Sequence, residues 1–160
     1  MDREVNNGRT EKEYTMPNIS GSFSAYVRAE TTLFPEDQPN HQLQLSEIHG
    51  IQKSPDPSWD NARLTYCGIA DLVSGTGTQR GYFANEHTDG DRDSGTFEGR
   101  VTTTAGQVTL EGTFAFTNGT GKLKGIHGNG TYKGRQVSPT EIEMSWTGAY
   151  EIATTARRVA

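Results

Sequence analysis

Apolar and polar residues alternate with a period of two through the stretch from Gly75 to Phe116, most clearly at Val108, Leu110, Gly112, Phe114 and Phe116. Successive side chains of a β-strand point to opposite faces, so this period predicts half-buried strands. Two turn signals, Thr88–Ser94 (TDGDRDS) and Ala105–Gly106, cut the stretch into three runs and make it an antiparallel meander. Upstream, Asn18–Glu30 gathers Ile19, Phe23, Ala25, Val27 and Ala29 on one face. Gln42–Gln52 gathers Leu43, Leu45, Glu47 and His49 on one face. Arg63–Ser74 is apolar on both faces, with Leu64, Tyr66, Ala70 and Leu72 alternating with Cys67, Ile69 and Val73. A strand of that kind needs cover outside the sheet as well as inside it, from a chain terminus or a second subunit.

Downstream, Asn118–Gly134 (NGTGKLKGIHGNGTYKG) predicts a glycine-rich turn, one helical turn over Lys122–His127, and a short strand at Thr131–Lys133. The last run, Thr140–Ala153, puts Ile142, Met144, Trp146, Tyr150 and Ile152 on one face. Eight strand-like runs with almost no helical periodicity predict an all-β protein, a single eight-stranded antiparallel up-and-down barrel. Closure would remove the edges that so strand-rich a chain otherwise exposes. A two-sheet jelly-roll sandwich is the alternative. The barrel domain is expected over residues 16–153, with a charged, disordered arm at 1–15 and a frayed tail at 154–160.

Turn centres carry face assignments from strand to strand. A two-residue turn at Ala105–Gly106 sets Val101 opposite Leu110 and Phe97 opposite Phe114, so that face is the interior. Centring Thr88–Ser94 on Asp91 sets Asn85 opposite Phe97 and points Phe83, Asn85 and His87 inward. Centring Gly75–Gly77 on Thr76 sets Cys67 opposite Asn85 and Ile69 opposite Phe83. Thr65, Cys67, Ile69, Asp71 and Val73 then face inward, and apolar parity adds Leu43, Leu45, Glu47 and His49. The expected lumen is apolar, with a polar patch of Glu47, His49, Cys67, Asn85 and His87 and with Tyr150 across the barrel. Trp59, in the proline-bearing loop SPDPSWDN, either packs against the barrel end or lids a cavity mouth.

Composition narrows the function. The net charge is -5 and no basic stripe is present, which argues against nucleic-acid binding. No apolar run approaches the roughly 18 residues of a membrane span. Cys67 is the only cysteine, so no internal disulfide forms. Without an apolar leader core, a cytoplasmic location is expected. Asp89, Asp91 and Asp93 begin like a calcium loop, but the sixth position is Ser94 and the twelfth is Arg100 where a bidentate Glu is needed. His49, His87 and Glu47 would make a two-histidine, one-carboxylate site, but the clustered histidines of cupin barrels are missing. Neither a metal nor a cofactor is expected.

The segment TGKLKGIHGNGTYKG, after a meander and before an aromatic strand, resembles the allene oxide cyclase-like (calycin-like) barrel group. Small bacterial barrels of that group carry a similar glycine-rich segment, and the likeness covers roughly Gly75 to Ile152. The motif is structural and transfers no catalytic residue. The resemblance implies an internal cavity, an apolar small-molecule ligand or substrate, and a homo-oligomer. The expected function is therefore a cofactor-independent cyclase or isomerase acting on a polyketide- or lipid-derived molecule. Glu47 or His49 would move a proton, and Asn85 would polarise a carbonyl. Leu45, Cys67, Ile69, Phe83, His87, Phe97, Phe114, Met144, Trp146 and Tyr150 would hold the substrate. The alternative is a non-catalytic binder of an apolar small molecule. A third reading has the lumen packed solid by Phe97, Phe114, Phe116, Met144 and Trp146.

Overall fold

The computed structural model describes residues 17–153 as a closed barrel in which eight antiparallel strands follow chain order. The strands are β1 Asn18–Leu33, β2 His41–Lys53, β3 Arg63–Val73, β4 Thr76–Glu86, β5 Arg92–Thr104, β6 Gln107–Gly119, β7 Ile126–Ser138 and β8 Glu141–Ile152. A 3-10 turn at Gly121–Leu123 precedes β7. β8 pairs back onto β1, with Ala149 opposite Asn18, so the sheet leaves no free edge. The up-and-down barrel holds, not the sandwich. The arm expected at 1–15 and the tail at 154–160 lie outside the described residues.

Tight turns fix the register. Ala105 and Gly106 both adopt left-handed backbone, φ 50 and 79°, as a type I′ hairpin turn requires. They set Val101 opposite Leu110 and Phe97 opposite Phe114, as the sequence predicts. Ser74 and Gly75 make a second turn of this kind, with φ 53 and 80°. That pair, and not Thr76, is the centre of the β3–β4 hairpin. Asn85 therefore faces Leu64, where Cys67 was expected, and Phe83 faces Tyr66, where Ile69 was expected. The slip is three residues, and an odd slip sends every side chain to the other face of the sheet.

Cys67 and Ile69 consequently lie on the outside of the barrel, and Ile69 is 44% exposed. β2 follows β3: Leu45 pairs with Ile69, Glu47 with Cys67 and His49 with Thr65, all on the outer surface. Leu45 is 55% exposed, so apolar parity alone misplaced that face. The inner residues of these strands are Ile48, Gln52, Leu64, Tyr66 and Leu72. The Thr88–Ser94 loop is also displaced, since Asn85 faces Asp93 and not Phe97. Here the slip is four residues, an even number. Phe83 and Asn85 keep their inward face, and His87 beyond the strand end is buried.

The interior is filled by rings set against glycines. A Cβ at Gly130 would stand 2.4 Å from Cζ of Phe114, and one at Gly68 would stand 2.8 Å from Cζ of Phe97. Gly99 and Gly112, opposite one another, leave the space taken by the Tyr132 hydroxyl. A narrow barrel must alternate large and small residues to fill its lumen without overlap. This pairing explains β7. Its glycines suggested a strand of only Thr131–Lys133, yet it runs 13 residues because Gly130 makes room for a ring instead of breaking the sheet. The core divides into two clusters along the barrel axis. Ala25, Ile48, Leu72, Val101, Leu110, Ile142 and Met144 fill one end. Ile19, Trp59, Phe116, Ile126 and Trp146 fill the other.

Candidate functional site

Between the two clusters lies a cavity of about 80 Å³. Nine aromatic side chains line it, among them Phe23, Phe83, Phe97, Phe114 and Trp146. Eight of them arrive there by strand parity and the ninth, Trp59, from a loop, so the cavity is largely a product of the barrel itself. Its exposed wall is almost wholly carbon. Gln52, Gln79 and Asn85 also border it, but their amides are turned into hydrogen bonds with the protein. Gln79 Nε2 donates to the Tyr132 hydroxyl at 2.8 Å. Burial pushes the Tyr132 phenol up to about 12, and it raises Tyr66 further, with nearby Tyr132 adding to the effect. Both phenols stay neutral at physiological pH.

Trp59 caps the cavity. It sits on the loop between β2 and β3, is 1% exposed, and lies among the rings of His87, Phe116, Tyr150 and Trp146 at centroid distances of 4.6, 5.6, 5.7 and 5.9 Å. Its indole N–H has no hydrogen-bond acceptor among the described residues and is left among aromatic faces, which offer only a weak contact. The loop braces itself: Ser58 N and Oγ both donate to Asp56 Oδ1, and Ser54 N donates to Asp60 Oδ1. At its neck, Gln52 N donates to Ala62 O and Asn61 N to Gln52 O. The prolines that mark SPDPSWDN as a strand breaker thus precede a compact cap. Of the two readings of Trp59, both hold in part: it is packed, and it closes a cavity.

A buried polar chain runs beside the cap. Trp146 Nε1 donates to Gln52 Oε1 at 2.9 Å, Gln52 Nε2 to Asn85 Oδ1 at 3.0 Å, and Asn85 Nδ2 to Asp93 Oδ1 at 2.9 Å. Asp93 Oδ2 lies 2.5 Å from His87 Nε2, and His87 Nδ1 donates to the Ser58 carbonyl at 2.6 Å. A carbonyl only accepts, so Nδ1 carries a proton, and a second proton lies between Nε2 and the carboxylate. The pair is then an imidazolium and a carboxylate, neutral overall, which makes its burial tolerable. Burial alone would push the His87 pKa down. The bond to Asp93, the Ser58 carbonyl and the Asp89 and Asp93 charges outweigh it, and the net shift is upward.

The structure thus brings together Phe83, Asn85, Phe97, Phe114, Met144 and Trp146 around the cavity, as expected. His87 and Tyr150 sit against Trp59 at the capped end and do not line the cavity. Leu45, Glu47, His49, Cys67 and Ile69 do not join the site: they stand outside the barrel wall, where His49 Nε2 lies 3.1 Å from Glu47 Oε1. Gln52, Leu64, Tyr66, Gln79, Asp93 and Tyr132 are among the inner residues that the alternation pattern did not find. The Ser74–Gly75 dipeptide was the signal that would have found Tyr66. Asp93, read as part of an acidic turn, is instead fully buried. Asp91 accepts from the Lys122 backbone N–H at the 3-10 turn, and Asp89 from the Asp91 N–H. Among the described residues no group of three or more His, Cys, Asp or Glu side chains is placed to hold a metal ion. Among the described residues no helix is long and apolar enough to cross a membrane.

Fold and site define a small closed β-barrel with an aromatic, capped lumen. The sequence matches no protein-family profile and no curated protein. Among solved structures, a protein of unknown function from the DUF3224 family of Shewanella oneidensis MR-1 is similar, at 14% identity and a TM-score of 0.54 over 87% of this chain and 100% of that one. Two pterocarpan synthase dirigent proteins are similar at 12% and 11% identity, each with a TM-score of 0.49. They align over 89% and 96% of this chain and 99% and 98% of their own. The likeness to the Shewanella oneidensis protein concerns the fold: it supports an eight-stranded barrel and does not single out the allene oxide cyclase-like group.

Proposed function

We propose that this barrel binds an apolar small molecule in its lumen, beneath Trp59. The observation that carries the proposal is the cavity of about 80 Å³ with an almost wholly carbon wall at the centre of the barrel. Apolar cavities stay dry, and one of about 150 Å³ takes up benzene. The cavity as it stands admits only a small apolar group, so a larger ligand requires the cap to lift. The cap is suited to lifting because its polar bonds are mostly internal. Its polar links to the rest of the barrel are few: the neck, Lys53 Nζ donating to Asn61 Oδ1, Ser54 Oγ donating to Ser20 O, and His87 Nδ1 donating to Ser58 O; the packed Trp59 ring is its main anchor.

Binding is favoured over the cyclase or isomerase reading by the position of the ionisable groups. Glu47 and His49, the expected proton carriers, stand outside the wall. Asn85, the expected carbonyl polariser, spends its oxygen on Gln52 and an amide hydrogen on Asp93. Tyr66 and Tyr132 are phenols held neutral and cannot serve as bases. A cyclase here would lack a base in its lumen and would rely on confinement of its substrate, with at most the neutral Tyr66 and Tyr132 phenols as donors. The glycine-rich segment shared with allene oxide cyclase-like barrels fits either reading, since it builds the 3-10 turn and the start of β7.

The test uses the two tryptophans, whose indole N–H signals report on the lumen directly. Toluene titrated into the isotope-labelled protein should shift both signals along one saturating curve. In Trp59→Ala the probe should bind at lower concentration, because the cap is gone. Indole signals that stay fixed up to toluene saturation, in both proteins, would refute a binding lumen.

A further inference from the structure

The outer face of β2, β3 and β4 is the wrong kind of surface for a lone barrel. Leu45 and Ile69 are cross-strand partners there, 55% and 44% exposed, and Cys67 and Tyr82 pair beside them, with Tyr82 72% exposed. Contiguous apolar surface of this sort marks a docking site. It continues into a concave groove of about 860 Å³ over β3 to β7, bordered by Ile69, Arg80, Tyr82, Glu98 and Thr113. In register, Ile69 lies opposite Arg80 and Arg80 opposite Glu98. Neither charge makes an ion pair among the described residues, although other surface charges do.

We infer that this face docks a second copy of the same chain about a two-fold axis. Three observations choose that occupant. The patch holds a knob, Tyr82, next to a groove, and a two-fold places each copy's knob in the other's groove. It holds one unpaired charge of each sign, so the same operation sets Arg80 of one copy against Glu98 of the other. The chain's own ends are poor candidates, because residues 1–16 (MDREVNNGRTEKEYTM) and 154–160 (TTARRVA) carry few apolar side chains. Apolar residues at the centre with a charged rim are the usual anatomy of a specific interface, and tyrosine is a frequent anchor of one.

Cys67 makes the test simple, since it is the only cysteine and lies inside the patch. Sedimentation should show the full chain doubling in mass as its concentration rises. Over the same range, labelling of Cys67 by a maleimide should slow. Arg80→Glu and Glu98→Arg should each shift the protein toward monomer, and the double variant should restore the dimer. Ile69→Lys should give a folded monomer whose Cys67 labels quickly at every concentration. A monomer with fast labelling at all concentrations overturns the proposal. So does a dimer that the two charge reversals leave intact, because another face then holds it. Slow labelling that ignores concentration and is relieved by deleting residues 1–16 or 154–160 assigns the face to the chain's own terminus and also overturns it.

Discussion

Asp93→Asn isolates the contribution of the buried proton. The substitution keeps the side chain's shape and removes its charge. Asparagine can still accept from Asn85 Nδ2 through its oxygen and donate to a neutral His87 through its amide, so every hydrogen bond of the chain survives. What is lost is charge assistance: a bond worth about 1.5–3 kcal/mol becomes an ordinary one worth about 1. Below pH 6.5, the unperturbed histidine value, the variant should therefore be less stable by about 1–2 kcal/mol. The sign changes with pH. His87 has a raised pKa in the folded protein, so its stabilisation is complete below 6.5 and disappears as pH rises through the folded value. Above that value the wild-type pair sets a neutral Nε2 lone pair against a carboxylate, whereas asparagine still donates. The two stability curves should converge and then cross. Urea unfolding at a series of pH values reads this, with an acid-side midpoint shift of about 0.5–1 M for a slope of about 2 kcal/mol/M. His41, also raised by its bonds to Asp37 and Asp71, titrates in both proteins and cancels in the difference. Curves that run parallel across the whole range would refute the proton placement. Asp93→Ala, which strands both Asn85 and His87, should cost about 3–5 kcal/mol on the acid side.

Gly130→Ala should destabilise the barrel by at least the 1–3 kcal/mol typical of overpacking, because its Cβ would meet both Phe114 Cζ and the Thr147 carbonyl; an unchanged melting temperature would refute the ring-on-glycine account of the lumen. Glu47→Gln should leave stability within about 0.5 kcal/mol of wild type and probe binding unaltered, since the residue lies outside the wall. A loss of binding in that variant would return Glu47 to the site.

Much of the barrel could be read from residue patterns, because period-two alternation is local and strong in β5, β6 and β8. The lumen residues Phe97, Phe114, Met144 and Trp146 followed from it. The failures came from two features that alternation does not carry. One was turn position: Ser74 adopts left-handed backbone beside Gly75, while the neighbouring glycines offered a false centre at Thr76. An odd error there inverted β3, whereas the even error at Thr88–Ser94 left Phe83 and Asn85 correctly placed. The other was an exposed apolar face. Leu45 and Ile69 look like core residues because a folded surface also keeps apolar side chains, and alternation alone does not say which face is inside. Buried polar groups were harder still. Asp93 and Gln52 gain their places from hydrogen bonds to residues distant in sequence, which a linear pattern cannot display.

The pairing of rings with glycines also constrains how this lumen can change by descent. Adding even one methyl to Gly68, Gly99, Gly112 or Gly130 collides with a ring or its hydroxyl, so single substitutions at those positions cannot narrow the cavity. Trimming a ring, by contrast, relieves its glycine neighbour and opens volume, at the roughly 3–5 kcal/mol that a Phe-to-Ala cavity costs. The two sides of each ring–glycine pair therefore respond unequally: the glycine side admits no addition, and the ring side admits removal at a finite cost in stability.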